Sequence, residues 1–226
     1  MKFEKIRAVF FDAGNTLIFP DYAFIKNVLA DHGVQVSVAQ LKDAEFEAKL
    51  EVLKHPSTKP WKLFFGTWFR ALGVAEQDLS EIFAKLWKHH LEKNLWSHVN
   101  EEARPVLSAL RARGYHLGVI SNSDGRLETL LQQVKLADYF EIIIDSEKVG
   151  FRKPQVEIFK LALKKFKVSG HETLYVGDIY ETDIVGAQNA GLTGILYDPL
   201  KKFENLKCLR IQKLSELLNF LSEKNR

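Results

Sequence analysis

The sequence predicts an α/β fold: a parallel sheet flanked by helices, interrupted after its first strand by an inserted all-helical unit. Three observations predict it. Five short runs rich in β-branched and aromatic residues are apolar on both faces rather than alternating, the pattern of strands covered on both sides. Helix-sized intervals separate the last four runs, as parallel neighbours require a crossover. About a hundred residues separate the first two, far more than one crossover helix occupies.

Taken in chain order, "IRAVFF" (residues 6–11) is the first strand and ends at Asp12. Four helical patterns follow: "DYAFIKNVLADHG", "SVAQLKDAEFEAKLEVLKH" with a Ser37/Gln40 capping box, "KPWKLFFGTWFRALG" and "DLSEIFAKLWKHHLEKN". Trp61, Trp68 and Trp87 recur at helical spacing beside Phe64, Phe65, Phe69 and Phe83, a stripe expected to pack inside a helical bundle. "WSHVNEEARP" (96–105) is read as the return hinge, which places the core in residues 1–17 and 98–226 and the helical unit in 18–97. The remaining strands are "HLGVIS" (116–121), "EIIID" (141–145), "TLYVGD" (173–178) and "TGILYD" (193–198). Between them lie "GRLETLLQQVKLADYF", "KPQVEIFKLALKKFK" with Pro154 at its start, and "ETDIVGAQNAG", which Gly191 stops.

Composition narrows the function. The 226 residues carry 32 Lys plus Arg against 29 Asp plus Glu, and the basic residues are dispersed rather than clustered with aromatics, so nucleic-acid binding is not expected. The single cysteine, Cys208, excludes an internal disulfide and suits a reducing cytoplasm. No apolar run approaches the roughly 20 residues of a membrane span, and "MKFEKIRAVFF" lacks a cleavable signal pattern. A cytoplasmic protein is expected, with no membrane partner; monomer and homodimer stay equally open.

In an open parallel sheet, ligands bind beyond the carboxyl ends of the strands. The polar residues there are Asp12, Asn15 and Thr16 after the first strand, Ser121 and Asn122 after the second, Lys153 before the helix that follows the third, and Asp178 with Asp183 after the fourth. Singly, each has an ordinary reading as a cap or turn former. Jointly, they make a phosphoryl-transfer site. Asp12 and Asp178 can hold one hard divalent cation, as Mg²⁺ prefers. Ser121 and Lys153 can bind phosphoryl oxygens, aided by backbone donors at the helix after the second strand. Asp12 is then free to attack phosphorus. Asp183 is expected to orient Lys153 or metal-bound water, or to cap a helix.

These residues resemble the haloacid dehalogenase-like (HAD) superfamily over essentially the full chain. "FDAGNTL" is similar to its first motif, Ser121 in "GVISNSD" to the second, Lys153 in "GFRKP" to the third and "YVGDIYETDIVGAQNAG" to the fourth. The resemblance implies a HAD-type Rossmannoid core with a four-helix C1 cap, Mg²⁺ as cofactor, a small phosphorylated substrate, and an ester formed on Asp12. It also implies that the position of Gly14 binds metal through its backbone carbonyl. The chain departs from the pattern there: family phosphatases carry a second aspartate, the general acid and base, where this chain has Gly14, and a glycine where it has Asn15. A Mg²⁺-dependent phosphatase with altered proton transfer is therefore expected. A 2-haloacid dehalogenase replaces the acidic pair that "GDIYETD" retains. A phosphonate hydrolase needs a cap lysine, for which Lys26, Lys54 and Lys62 are candidates without a distinguishing mark. A low-turnover scaffold that binds metal and phosphate is the non-enzyme alternative. Asp21, near the cap hinge, is the candidate replacement acid. His89 and His90 lack ligand-spaced partners and are expected to be solvated or partly packed, and Lys201 with Lys202 reads as a charged turn.

Overall fold

The computed structural model describes residues 5–55 and 60–221. Eight strands are present among them: β1 (Ala8–Phe11), β2 (Ile18–Pro20), β3 (Trp96–Val99), β4 (His116–Ser121), β5 (Ile142–Asp145), β6 (Thr173–Gly177), β7 (Thr193–Tyr197) and β8 (Leu209–Ile211). Six form one parallel sheet in the order β5-β4-β1-β6-β7-β8, while β2 and β3 pair separately. The chain divides into two compact units, Met1–Phe19 with His98–Arg226, and Pro20–Ser97. The first is a Rossmannoid sheet flanked by helices and the second is a helical insert.

The insert contains α1 (Tyr22–Asp31), α2 (Val38–Lys54), α3 (Pro60–Ala71) and α4 (Leu79–Lys93). Asp21 caps α1, accepting from Phe24 N at 2.9 Å. The capping box of α2 forms as its sequence predicts: Gln40 N donates to Ser37 Oγ at 3.2 Å and Ser37 N to Gln40 Oε1 at 2.9 Å. Lys59, which opens the predicted third helix, lies outside the described residues. Trp68, Phe65 and Phe69 are fully buried, and Trp68 Nε1 donates to Leu41 O at 2.9 Å. Glu45 is buried too, its carboxylate accepting from Tyr22 Oη at 2.6 Å.

Trp87 departs from the expected core stripe, being 45% exposed. The buried line of α4 runs through Leu79, Ile82, Leu86 and His90. Trp87 follows Leu86 by one residue, about 100° around the helix, so it sits on the shoulder of that line. It meets Trp61 edge-on at 5.2 Å and the His90 ring at 5.3 Å, and Leu91, one turn on, is 58% exposed. His90 is buried, not solvated; its Nδ1 faces Leu95 N at 3.2 Å.

In the sheet unit, α5 (Ala103–Ala112), α6 (Leu127–Gln133), α7 (Ser146–Val149), α8 (Val156–Phe166), α9 (Gly186–Asn189) and α10 (Leu217–Phe220) complete the fold. Phe10, Ile120, Ile158, Phe159 and Tyr175 share one cluster of the core, where α8 covers the sheet. Three features differ from the sequence expectation. The supposed hinge is the short strand β3 followed by α5. The "ETDIVGAQNAG" helix begins with a π-helical turn, Tyr180–Val185, before α9. A sixth sheet strand, β8, runs along the edge beside β7. Gly191 ends this stretch at φ +84, as its position predicts, and Lys201 takes φ +56 in a turn whose Lys202 N donates to Asp198 Oδ1.

Candidate active site

Asp12 is delivered by β1, where four consecutive buried residues leave the first carboxylate just past the strand end. The ladder continues through it: Asp12 N donates to Val176 O at 2.8 Å, setting it beside the end of β6 and Asp178. The following turn closes on Ala13 O, which accepts from Leu17 N and Ile18 N, both at 2.9 Å. Asn15 sits at φ +57 in this turn. A left-handed position favours glycine, and Asn is the side chain that tolerates it best. Asn15 therefore satisfies the backbone requirement of the glycine it stands in for. Asn15→Ala should destabilise the protein by about 1–2 kcal/mol and Asn15→Gly should be neutral or better, read from urea midpoints.

Thr16 is fully buried, and its carbonyl accepts from Asn100 Nδ2 at 2.9 Å. Asn100 also reaches Tyr197 Oη at 3.1 Å, and its backbone N donates to Leu17 O. Sequence reasoning missed Asn100 because it lay inside a supposed hinge; a lone polar residue between two short elements is its only signal.

Lys153 is the junction of the site. Only 5% exposed, its Nζ lies 2.7 Å from Asp12 Oδ1, 2.7 Å from Asp183 Oδ1 and 2.9 Å from Tyr175 Oη. Asn122 fixes the backbone that carries it, Lys153 N donating to Asn122 Oδ1 at 2.8 Å and Asn122 Nδ2 to Lys153 O at 3.0 Å. Burial alone would push the ammonium down, yet the two carboxylates hold it above the ordinary lysine value. Burial raises Asp12 above the usual carboxylate range; Lys153 opposes that and Asp183 adds to it. Tyr175 is held well above the ordinary phenol value by burial and by Asp183, so its hydroxyl keeps its proton. Nothing in the pattern of β6, where Tyr175 stands among apolar positions, marks this residue as part of the site.

Asp183 uses both carboxylate oxygens. Its Oδ1 meets Lys153, and its Oδ2 accepts from Ile179 N at 2.9 Å, closing the turn before the π-helical segment. Gly177 permits this approach, since a Cβ there would lie 2.4 Å from Asp183 Cγ. Oxygens of Asp12, Asp178 and Asp183 fall within 4.8 Å of one another, a set of hard donors that fits a divalent cation. Asp12 and Asp178, the ligands the sequence proposes, both belong to this set.

Ser121, at the buried end of β4, pairs in register with Asp145 of β5. Asp145 and Ser146 hold the loop that follows Ser121. The Asp145 carboxylate accepts from Gly125 N and Leu127 N, both at 3.1 Å, and from Glu147 N at 3.0 Å; Ser146 Oγ accepts from Ser123 N at 3.1 Å. At the start of α6, where backbone donors for phosphate are expected, Leu127 N is thus bonded to Asp145. The loop is positioned by the sheet, and Ser121 remains its phosphate-facing candidate.

Asp21 belongs to the helical insert. Its Oδ1 is the α1 cap, and its Oδ2 lies 3.8 Å from Nε2 of His89, whose ring stacks on Phe24. Lys26, Lys54 and Lys62 are exposed on α1, α2 and α3, without a contact that distinguishes any of them.

The chain matches the profile of haloacid dehalogenase-like hydrolase over residues 6–191. Haloacid dehalogenase-like hydrolase domain-containing protein 3 of Xenopus laevis is 36% identical over 58% of this chain and 54% of its own, so the chain spans about half the length of that curated relative. Glyceraldehyde 3-phosphate phosphatase of Pyrococcus abyssi is 28% identical over 97% of this chain and 95% of its own. Among solved structures, the HAD-hydrolase YfnB of Bacillus subtilis, described as bound to magnesium, shares the fold at a TM-score of 0.72, 23% identity and coverage of 96% and 98%. Dehalogenases adopt the same fold. Among the described residues, no helix is long and apolar enough to cross a membrane.

Proposed function

The chain belongs to the haloacid dehalogenase-like hydrolase family, and from that premise we propose that it is a Mg²⁺-dependent phosphatase of a small phosphorylated metabolite. One observation carries the reading: a buried ammonium, Lys153, joins the Asp12 carboxylate at 2.7 Å, and Asp178 adds a second carboxylate within 4.8 Å, a pair that suits a divalent cation. A dehalogenase substrate brings a single carboxylate and has no use for that acidic pair; a phosphate ester, with up to two negative charges, needs both cations. The Pyrococcus relative's name points to the same size class of substrate.

In the reaction, an Asp12 oxygen attacks phosphorus and the bond to the leaving oxygen breaks, giving an aspartyl phosphate that water hydrolyses. Mg²⁺, when held by Asp12, Asp178 and the Gly14 carbonyl, supplies positive charge to the phosphoryl oxygens and offsets their repulsion by Asp12. Lys153 adds the second cation, Ser121 a hydroxyl donor, and Asn122 and Asp183 keep Lys153 in place. Nothing at position 14 protonates the leaving oxygen. Asp21, the α1 cap of the helical insert, is the replacement acid we propose to test.

A substrate panel tests the reading: p-nitrophenyl phosphate, acetyl phosphate, glyceraldehyde 3-phosphate, phosphonoacetaldehyde and 2-chloropropionate, each with Mg²⁺ and with EDTA. Phosphate release that EDTA abolishes is expected, and chloride release that survives EDTA would sink the phosphatase reading. Bound Mg²⁺ and phosphate without any turnover would favour a scaffold. Gly14→Asp should speed alkyl phosphates, toward the roughly 10²–10⁴-fold that general acid catalysis contributes, and leave aryl phosphates nearly unchanged. Asp21→Asn, which keeps the cap, should slow alkyl esters selectively; equal rates would remove Asp21 from the mechanism.

A further inference from the structure

The ammonium of Lys153 has three N–H groups and three oxygens around it: Asp12 Oδ1, Asp183 Oδ1 and Tyr175 Oη. Two of these partners do not take part in bond making. Asp183 is fixed through Ile179 N, and Tyr175 is fixed by its packing, edge-on to Phe159 at 5.1 Å, and by its hydroxyl, 3.0 Å from Ile120 O. Ile120 immediately precedes Ser121 on β4. The third N–H, aimed at Asp12, is the one available to a phosphoryl group once Asp12 has given its charge to phosphorus.

We infer that Tyr175 is a positioning residue for phosphoryl transfer: its hydroxyl tethers Lys153 so that one N–H stays aimed at the nucleophile, and ties that lysine to the strand end that presents Ser121. An uncharged acceptor suits this place. A third carboxylate would overload the buried ammonium with negative charge, while an apolar neighbour would leave one N–H unpaired. With only Asp183 as tether, the ammonium can turn about that single bond, and its charge stays near the substrate while its alignment is lost. Ground-state attraction is then largely retained, and the stabilisation of charge developing on the phosphoryl oxygens is not.

This inference rests on the phosphatase reading, and the test separates the two. Tyr175→Phe removes one oxygen and keeps the ring packed on Phe159. Expected is a fall in kcat for p-nitrophenyl phosphate of about 10- to 100-fold, with KM changed less than about threefold. A role limited to packing would shift the melting temperature without that split, so unchanged kcat in the folded variant would overturn the inference. A double-mutant cycle on folding supplies a readout free of substrate: Tyr175→Phe should lower the urea midpoint by more when Lys153 is present than in a Lys153→Met background, where the hydroxyl still meets Ile120 O and Asp183 Oδ1. Equal shifts in both backgrounds would overturn the tether. If the unaltered protein releases no phosphate from any ester, the phosphatase reading fails instead, and the folding cycle still decides whether Tyr175 holds Lys153.

Discussion

Asp12→Asn is expected to abolish phosphate release, a loss of at least about 10³-fold in kcat, while leaving the metal-free protein as stable as the parent or more so. The two effects have one cause. An amide cannot act as the nucleophile, so no ester forms. Stability moves the other way because burial raises the Asp12 carboxyl above its ordinary value, and the nearby Asp183 adds to that. A carboxyl raised in the folded state favours folding only while it is protonated; the contribution is present below the unfolded value near 3.8 and is lost as pH rises through the folded one. At neutral pH the ionised Asp12 is thus a cost to the fold, and Asn removes it, a gain of the order of 0.5–2 kcal/mol for a substitution of this kind. Thermal melts in EDTA at pH 7 check it. A variant markedly less stable than the parent would mean that the Lys153 contact outweighs the burial of Asp12.

Removing the cation should do the opposite. Lys153→Met leaves Asp12 and Asp183, both buried, facing each other with oxygens within 4.8 Å and no ammonium between them. Breaking a buried pair by deleting one partner costs about 3–5 kcal/mol, since the uncompensated charge stays inside. The loss should shrink as pH falls, because Asp12, whose carboxyl burial raises, then takes up a proton and its burial ceases to be penalised. Urea midpoints measured at pH 8 and pH 5 should converge on the parent's at the lower pH, and adding Asp183→Asn should recover part of the deficit at pH 8. A pH-independent deficit would show that packing, not charge, accounts for it. Turnover should be lost at either pH, since Mg²⁺ alone leaves the phosphoryl group without its second cation.

How much of this was legible in advance depended on the range of the interaction. The Ser37/Gln40 box, the Gly191 stop and the strand that ends at Asp12 each rest on neighbours within about four residues, and each appears in the structure where the sequence placed it. β8 was not legible: three residues with Arg210 in the middle carry too little apolar pattern, and only pairing with β7 makes them a strand. Trp87 was misread because helical spacing gives a stripe but not its width, and the side chain fell on the edge. Asp145 reads in the sequence as the end of a strand, yet its carboxylate holds three backbone N–H groups of segments up to 20 residues away.

The sequence by itself determined the α/β class, the helical insertion after the first strand, and which residue types gather at the strand ends: a nucleophilic carboxylate, a hydroxyl, a lysine and an acidic pair. It also determined that the second aspartate is missing, a fact no fold can alter. Only the tertiary structure decided how these groups divide their labour. Register is the reason. Phe10 pairs with Tyr175 across β1 and β6, and Asp12, two residues beyond Phe10, falls on the same face of the sheet, so Tyr175 rather than Leu174 or Val176 turns toward Lys153. A slip of one residue would send that hydroxyl to the opposite face and leave the lysine with two carboxylates alone. Local chemistry is written in spacing along the chain, whereas the aim of Lys153 depends on which residues three strands bring side by side.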